Sequence, residues 1–465
     1  MLFSSLVFIC AFLPVLLFLY YCSPRRSRNC ILFAASLFFY AWGALELVWV
    51  IGISILWNHC AAWAMDGLKS PRKRKAVLSL AVTVDLAILG YFKYMNFFIV
   101  NWNVLSGMSL PLHHVILPIG ISFYTFQAIS YLVDVYRGDT PAEKNLLNTG
   151  LYITFFPQLI AGPIVKFHEI SGFIRSRTES PDEFARGMQR FIEGLAKKVL
   201  VANVMAEMAD RVFACDPNVL SPQEAWLGTV AYTMQIFFDF SGYSDMAIGL
   251  GHMFGFTIPE NFDYPYTAVT ITEFWRKWHI SLSSWFREYL YIPLGGSRGG
   301  LGKTLRNLMI VFLVTGLWHG AGWTFIIWGV WHGVLVLSER VCRLDKRHFP
   351  LPAKIPMHIY ALLAVMVGWV FFRSETLTQA IAMVKKLFSF SGWRAGETLP
   401  VSRLFVLTLI AALVFSTSLP RSLYAKMGKS AVGLFCWRIC CCGLLFLVLL
   451  RLAGASYNPF IYFRF

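Results

Sequence analysis

Residues 306–339 read RNLMIVFLVTGLWHGAGWTFIIWGVWHGVLVLSE. The 32 residues between Arg306 and Glu339 contain no Asp, Glu, Lys or Arg. One straight helix of that length would be about 48 Å long, against a hydrocarbon core of about 30 Å. Gly320 and Gly322 offer a break just after His319. The distal flank is basic (Arg340, Arg343, Lys346, Arg347), as is the proximal one. The stretch is therefore expected to dip into a membrane and return, with Trp318-His319-Gly320 at its turning point.

The rest of the chain agrees with that class. Of 465 residues, 57% are hydrophobic and 14% charged, where a soluble protein would carry about a quarter charged residues. Repeated apolar runs of about 20 residues indicate an all-α polytopic membrane protein with about 10–12 passes. Residues 1–465 read as a single integral membrane domain, without a solenoid repeat. The runs lack the alternation of a membrane barrel. The net charge of +16 sits in short loops between apolar runs, which is topology and not nucleic-acid binding. Ten cysteines are scattered without a C-x-x-C pair, and several lie in apolar runs, where thiols act as small hydrophobes. No metal-ligand spacing, G-x-S-x-G elbow, Walker motif or dinucleotide fingerprint is present.

The first run, Leu2 to Tyr21, lacks a basic n-region and a cleavage site, so it reads as a retained span. Arg25, Arg26 and Arg28 behind it place the N-terminus outside. Cys30 to Met65 is too long for one span and has basic flanks on both sides. A hairpin turning near Gly43 to Glu46 accounts for both features. Ala76 to Val100 carries Asp85 and Lys93; Leu117 to Tyr136 follows. Leu151 to Ile164 holds Pro157 and Pro163, which break helices. It reads equally as a cavity wall or a short re-entrant helix. Trp226 to Phe256 is expected to be interrupted by FFDFSGYSDMAIGLG, which sets Asp239 and Asp245 among aromatics and glycines. Acids inside a span are expensive and face the bundle interior; positioning and catalytic roles both stand open for Asp239. Further spans are expected over Ile355 to Phe372, Leu404 to Leu419 and Val432 to Leu452.

Two Trp-His pairs carry the chemistry. Thr270 with Glu273 forms a capping box that opens an amphipathic helix to about Pro293. On it Trp275, Trp278, His279, Leu282 and Phe286 would share one face, with Arg276, Lys277, Ser283, Ser284 and Arg287 on the other. Such a helix would lie along the cytoplasmic interface. His279 then reads either as a buried anchor or as a working imidazole. At the turn after residue 319, Trp318, Trp323 and Trp328 would ring an imidazole at membrane depth. Buried histidines stay neutral, the state a general base requires. His332 shares the Trp-His-Gly context, but nothing marks it as reactive.

These motifs resemble the membrane-bound O-acyltransferases, in the bacterial branch that serves polysaccharide O-acetylation. The carrying segments are PIGISFYTFQAISYLVDVYRGD (Pro118 to Asp139), LIAGPIVKF (Leu159 to Phe167), FFDFSGYSDMAIGLG (Phe237 to Gly251), ITEFWRKWHISLSSWFREYLYIPLGG (Ile271 to Gly296), GLWHGAGWTFIIWGVWHG (Gly316 to Gly333), GWVFFRSET (Gly368 to Thr376) and YNPFIYFRF (Tyr457 to Phe465). One departure stands out: Arg276-Lys277 occupies the place where alginate-type members commonly carry Arg-Arg, so a planar fork becomes a point charge.

The resemblance implies a ring of tilted helices around a central funnel in a bacterial inner membrane. It implies His319 as the essential residue and His279 as the second family histidine. No cofactor is bound; acetyl-CoA from the cytoplasm is the implied donor substrate. Lys166, Arg276 and Lys277 would line the donor mouth, and Trp278, Trp318 and Asp239 would contact the donor or acceptor. The implied partners are a periplasmic polysaccharide acetyltransferase, a polysaccharide synthesis and secretion complex, and membrane lipids, with no nucleic acid. Alginate, cellulose and peptidoglycan acetylation all use similar subunits. A transporter of acetyl groups or polymer, with the histidines as proton relays, remains a competing class.

Overall fold

Apolar runs in a bilayer can satisfy their backbone polar groups only internally, so helices are the expected outcome. The computed structural model describes residues 1–347, 349–390, 399–427, 430–454 and 457–461. The last four residues of the YNPFIYFRF motif, 462–465, lie outside the described residues. Among the described residues no strand forms; one isolated antiparallel bridge joins Phe262 and Trp278. Among the described residues, five helical runs are long and apolar enough to cross a membrane, or six if a pair bent by 72° counts as one span. The Arg25–Asp66 run is 42 residues long, enough for two passes, so the number of runs is not the number of passes. Other apolar runs of the sequence fold as shorter or broken helices.

The chain divides into two compact units, Met1–Phe191 with Met246–Pro259, and Ile192–Asp245 with Glu260–Phe465. In the first, a π-turn leads into α1 (Leu13–Cys22), followed by α2 (Arg28–Ala44) and α3 (Val48–Asp66) across a 3-10 turn at Leu45–Leu47. Asn29 Nδ2 donates to Asn148 Oδ1 at 3.0 Å, and His59 Nδ1 meets Thr149 Oγ1 at 2.9 Å. Residues from the two arms thus reach one turn of the chain, so the long apolar run doubles back as a hairpin. α4 (Pro71–Leu89) and α5 (Met95–Ser106) follow, and then α6 (Ile121–Arg137), whose residues are nearly all buried. Asp85 on α4 accepts from Asn58 Nδ2 on α3 at 3.0 Å.

α7 (Leu146–Thr154), α8 (Phe156–Leu159) and α9 (Phe167–Arg175) are short. Every residue from Leu151 to Ile164 is buried. A Cβ on Gly162 would lie 2.3 Å from the Pro157 carbonyl oxygen. This proline-rich segment is a tight fold buried in protein.

α10 (Pro181–Ala196) runs through a π-turn at Lys197–Ala202 into α11 (Asn203–Ala214). α12 (Pro222–Met253) is one unbroken helix of 32 residues. The interruption expected at FFDFSGYSDMAIGLG does not occur. Glycine there permits close approach: a Cβ on Gly242 would sit 2.7 Å from the Gly194 carbonyl oxygen, the small-residue packing of membrane helices. In the second unit α13 (Ile271–Lys277) and α14 (Ile280–Phe286) precede α15 (Leu301–His319) and α16 (Trp323–Val341). α17 (Leu351–Arg373), α18 (Leu377–Leu387), α19 (Arg403–Phe415), α20 (Leu419–Met427) and α21 (Ala431–Gly454) complete it.

Candidate active site

α15 and α16 pack together as a hairpin that turns where the sequence predicts the turn, and the reason is steric. A Cβ on Gly316 would lie 2.5 Å from the Phe325 carbonyl oxygen, and one on Gly329 2.5 Å from that of Phe312. Only glycine lets these backbones approach so closely. His319 is the last residue of α15, and Gly320 to Gly322 form the turn. Its ring is packed edge-on by Trp318 (4.9 Å between centroids), Trp328 (5.1 Å) and Phe372 (5.0 Å). His319 is 7% exposed.

His319 borders a small apolar cavity lined by Ile236, Phe240, Trp278, Trp328, Trp369, Phe372 and Ile461. Its volume is about 10 Å³, room for about one water. The Trp369 indole N–H is spent on Tyr266 Oη, at 3.1 Å. The Trp328 Nε1 is buried and has no acceptor among the described residues.

His279 is mounted differently. The single helix expected from Thr270 to about Pro293 is broken at Trp278–His279. Its residues do not share one continuous face. Trp278 takes an extended conformation and bridges Phe262. His279 sits in the left-handed region at φ 46° and ψ 54°, uncommon for a residue with a Cβ and typical of functional sites. The expected cap is present in part. Thr270 Oγ1 accepts from the Glu273 N–H at 3.0 Å, while the Glu273 carboxylate reaches back to the Val269 N–H at 3.0 Å.

The break is held by Asn261. Its Oδ1 accepts from the Ser281 backbone N–H at 3.2 Å and the Ser281 hydroxyl at 2.9 Å, and its Nδ2 donates to Ser244 Oγ at 3.1 Å. That oxygen also lies 3.0 Å from His279 Nδ1. An amide oxygen only accepts, so Nδ1 carries the proton and Nε2 carries the lone pair. Nε2 is buried with no partner among the described residues. Burial pushes the pKa of this imidazole down to about 3. A neutral His279 of this tautomer accepts a hydrogen bond at Nε2 and cannot donate one to an oxyanion. Phe240 packs edge-on against it at 4.6 Å, and Trp318 lies 6.1 Å away.

Glu339, read in the sequence only as the end of an uncharged run, anchors this element. Its carboxylate accepts from the Ile271 N–H (2.6 Å), the Thr272 N–H (2.8 Å) and Thr272 Oγ1 (2.6 Å). A carboxylate at a helix N-terminus complements the dipole. Two turns earlier on α16, His332 Nδ1 accepts from the Trp275 indole at 3.4 Å. Its Nε2 sits 2.5 Å from where a Gly368 Cβ would be. His332 therefore packs α13 against α16 and α17.

The remaining sequence candidates divide. Trp278 lines the cavity, and Trp318 lies beside both histidine rings. Arg276 is exposed. Lys277 pairs with Glu273 at 2.8 Å and donates to Thr267 Oγ1 at 3.2 Å. Lys166 lies in the first unit, buried, with its ammonium 3.1 Å from Glu169. Asp239 pairs with Lys198 at 2.8 Å and accepts from the Ile461 N–H at 2.9 Å. It therefore anchors the chain near its C-terminus. Asn261, Glu339 and Ile461 were not singled out in the sequence. Their roles come from partners 18 to 222 residues away, which local patterning does not encode.

Residues 143–374 match the model of MBOAT, the membrane-bound O-acyltransferase family. The chain is 42% identical to a probable alginate O-acetylase AlgI of Azotobacter vinelandii, over 100% of both chains. It is 37% identical to a peptidoglycan O-acetyltransferase of Helicobacter pylori, over 84% of this chain and 80% of that one. A teichoic acid D-alanyltransferase of Bacillus subtilis is 27% identical over 49% of this chain and 60% of its own.

Proposed function

Because this multi-pass membrane protein belongs to the membrane-bound O-acyltransferase family, we propose that it moves acetyl groups from a cytoplasmic thioester across the membrane for O-acetylation of an extracytoplasmic polysaccharide, with His319 as the proton acceptor. The observation that carries this reading is the placement of His319. It stands at the end of α15, against a small apolar cavity that no other titratable side chain lines among the described residues.

The reaction balances on groups at hand. The acceptor hydroxyl oxygen attacks the thioester carbonyl carbon while a His319 ring nitrogen takes the hydroxyl proton. The C–O bond forms, the tetrahedral intermediate collapses and the C–S bond breaks. The leaving thiolate takes the proton back from the imidazolium, which restores neutral His319. The developing oxyanion needs a donor. His279 in its observed tautomer does not offer one, whereas the Trp328 N–H is an unspent donor on a residue of the cavity wall. His279 Nε2 instead accepts a hydrogen bond from a second hydroxyl of the acceptor, since the single proton of the reacting hydroxyl goes to His319.

Acetyl-CoA is the proposed donor. Exposed Arg276 is its first phosphate contact, since Lys277 and Lys166 are already ion-paired. The basic cluster after the first run supports a periplasmic N-terminus in a bacterial inner membrane. A separate periplasmic acetyltransferase completes delivery within a polysaccharide synthesis and secretion complex. The AlgI relatives favour an alginate-type exopolysaccharide as acceptor, and the Helicobacter relative makes peptidoglycan the second candidate.

His319→Ala should abolish polymer O-acetylation in cells while the protein still inserts at wild-type level. Wild-type acetylation in that mutant sinks the assignment. Acetyl flux without thioester cleavage would point to a transporter instead.

A further inference from the structure

One wall of the cavity comes from the end of the chain. Ile461 lines it, and the short segment carrying Ile461 is held residue by residue. The Tyr457 hydroxyl donates to Asp210, and Asn203 Nδ2 donates to Asn458 Oδ1 at 3.2 Å. Phe460 stacks on Tyr243 with centroids 4.9 Å apart. The main grip is electrostatic. Lys198 (3% exposed) and Asp239 (1% exposed) form a buried ion pair. Lys198 Nζ donates to the Pro459 carbonyl, and Asp239 Oδ2 accepts from the Ile461 N–H.

A buried ion pair is a poor device for stability, because desolvating both charges offsets their attraction. This pair is better explained by what it grips. Its cation and anion meet a C=O and an N–H two residues apart, as a clamp on an extended peptide would. The π-turn at Lys197–Ala202 sets this register: it lets Lys197 reach Asp245 at 2.6 Å while Lys198 reaches Asp239.

We propose that the Lys198–Asp239 pair clamps residues 459–461 so that Ile461 limits the transferred acyl group to two carbons. The inference rests on the acyl-transfer reading above and names its size-determining residue. A cavity of about 10 Å³ leaves no slack for an extra methylene unless a wall yields. Trp278, Trp328, Trp369 and Phe372 are interlocked rings. The aliphatic lining residues are Ile236, inside α12, and Ile461, on the clamped segment; Ile461 is therefore a wall that a mutation can retract without disturbing either the ring cluster or a long helix.

The test compares thiol release from acetyl-CoA and propionyl-CoA by purified full-length protein. Ile461→Ala, Ile461→Val, Asp239→Asn and His319→Ala are set beside wild type. The propionyl-to-acetyl rate ratio should rise about 10-fold or more in Ile461→Ala, the usual worth of one methylene in a pocket. It should rise in the same direction, by less, in Ile461→Val and Asp239→Asn. The ratio separates this role from misfolding, which lowers both rates together. Ile461→Val loses one methyl and keeps its β-branch, so it reports even if the alanine variant does not fold. An unchanged ratio in all variants that retain activity overturns the wall. His319→Ala at wild-type rate, or a wild type that cleaves neither thioester, overturns the acyl-transfer reading and the wall with it.

Discussion

The two Trp-His elements of this protein solve the same problem by different means. Both are helix–break–helix units that present an imidazole inside an apolar core. His319 is positioned by packing: three aromatic rings surround it, and glycines at 316 and 329 draw its two helices together. His279 is positioned by hydrogen bonding: Asn261 fixes its tautomer, and its backbone is held at positive φ. Packing leaves a ring beside open volume, where it can meet substrate. Hydrogen bonding fixes which nitrogen holds the proton. A proton acceptor and its orienting partner need these two properties respectively.

The comparison breaks most decisively at Asn261. Asn261→Leu leaves the His279 Nδ1 proton and two Ser281 donors unpaired in a buried site. At about 1–3 kcal/mol for each of the three orphaned groups, the loss is about 3–9 kcal/mol. Thermal unfolding in detergent should show it as a large fall in Tm, and Asn261→Asp should be milder because it still accepts. Next comes Trp328→Phe, which keeps a ring against His319 and removes one N–H. Losing an oxyanion donor costs about 100-fold or more in kcat, with little change in KM; equal kcat in the two proteins would remove Trp328 from the mechanism.

The pH dependence of stability follows from the pKa of His279. The folded-state value is about 3, and the unfolded value is about 6.5. Between them only the unfolded chain binds the proton. This contribution is therefore complete above about pH 6.5 and declines as pH falls toward 3, by about 1.4 kcal/mol per unit. His279→Gln should flatten the fall in Tm between pH 6.5 and pH 5. A wild-type slope in that variant would assign the effect to another group. The smallest effect is expected from Glu339→Gln, which preserves shape but weakens the charge-assisted cap on α13, by about 1 kcal/mol. Its Tm should drop by a few degrees, and replacement by Ala should cost clearly more.

Much of this contrast was legible in the sequence on the His319 side and little of it on the His279 side. A 32-residue uncharged run with two glycines after His319 and basic flanks has few ways to sit in a bilayer, so its turn could be placed from length, glycines and flanking charge together. The break at Trp278–His279 has no glycine or proline to announce it; the bridge to Phe262 and the Asn261 amide impose it from a distant loop. Glycines misled in the opposite direction at Gly242, where they signalled close packing within an unbroken α12. Asp239 was visible as an acid among aromatics, but its partners, Lys198 and the Ile461 N–H, come from far along the chain.

The central claim is that His319 accepts the proton that acyl transfer releases. Single-turnover thiol release from acetyl-CoA by purified His319→Gln, with an acceptor hydroxyl present and folding matched to wild type by Tm, tests it most directly. The rate should fall by at least about 100-fold, the low end of what a lost general base costs. Thiol release at the wild-type rate would contradict it.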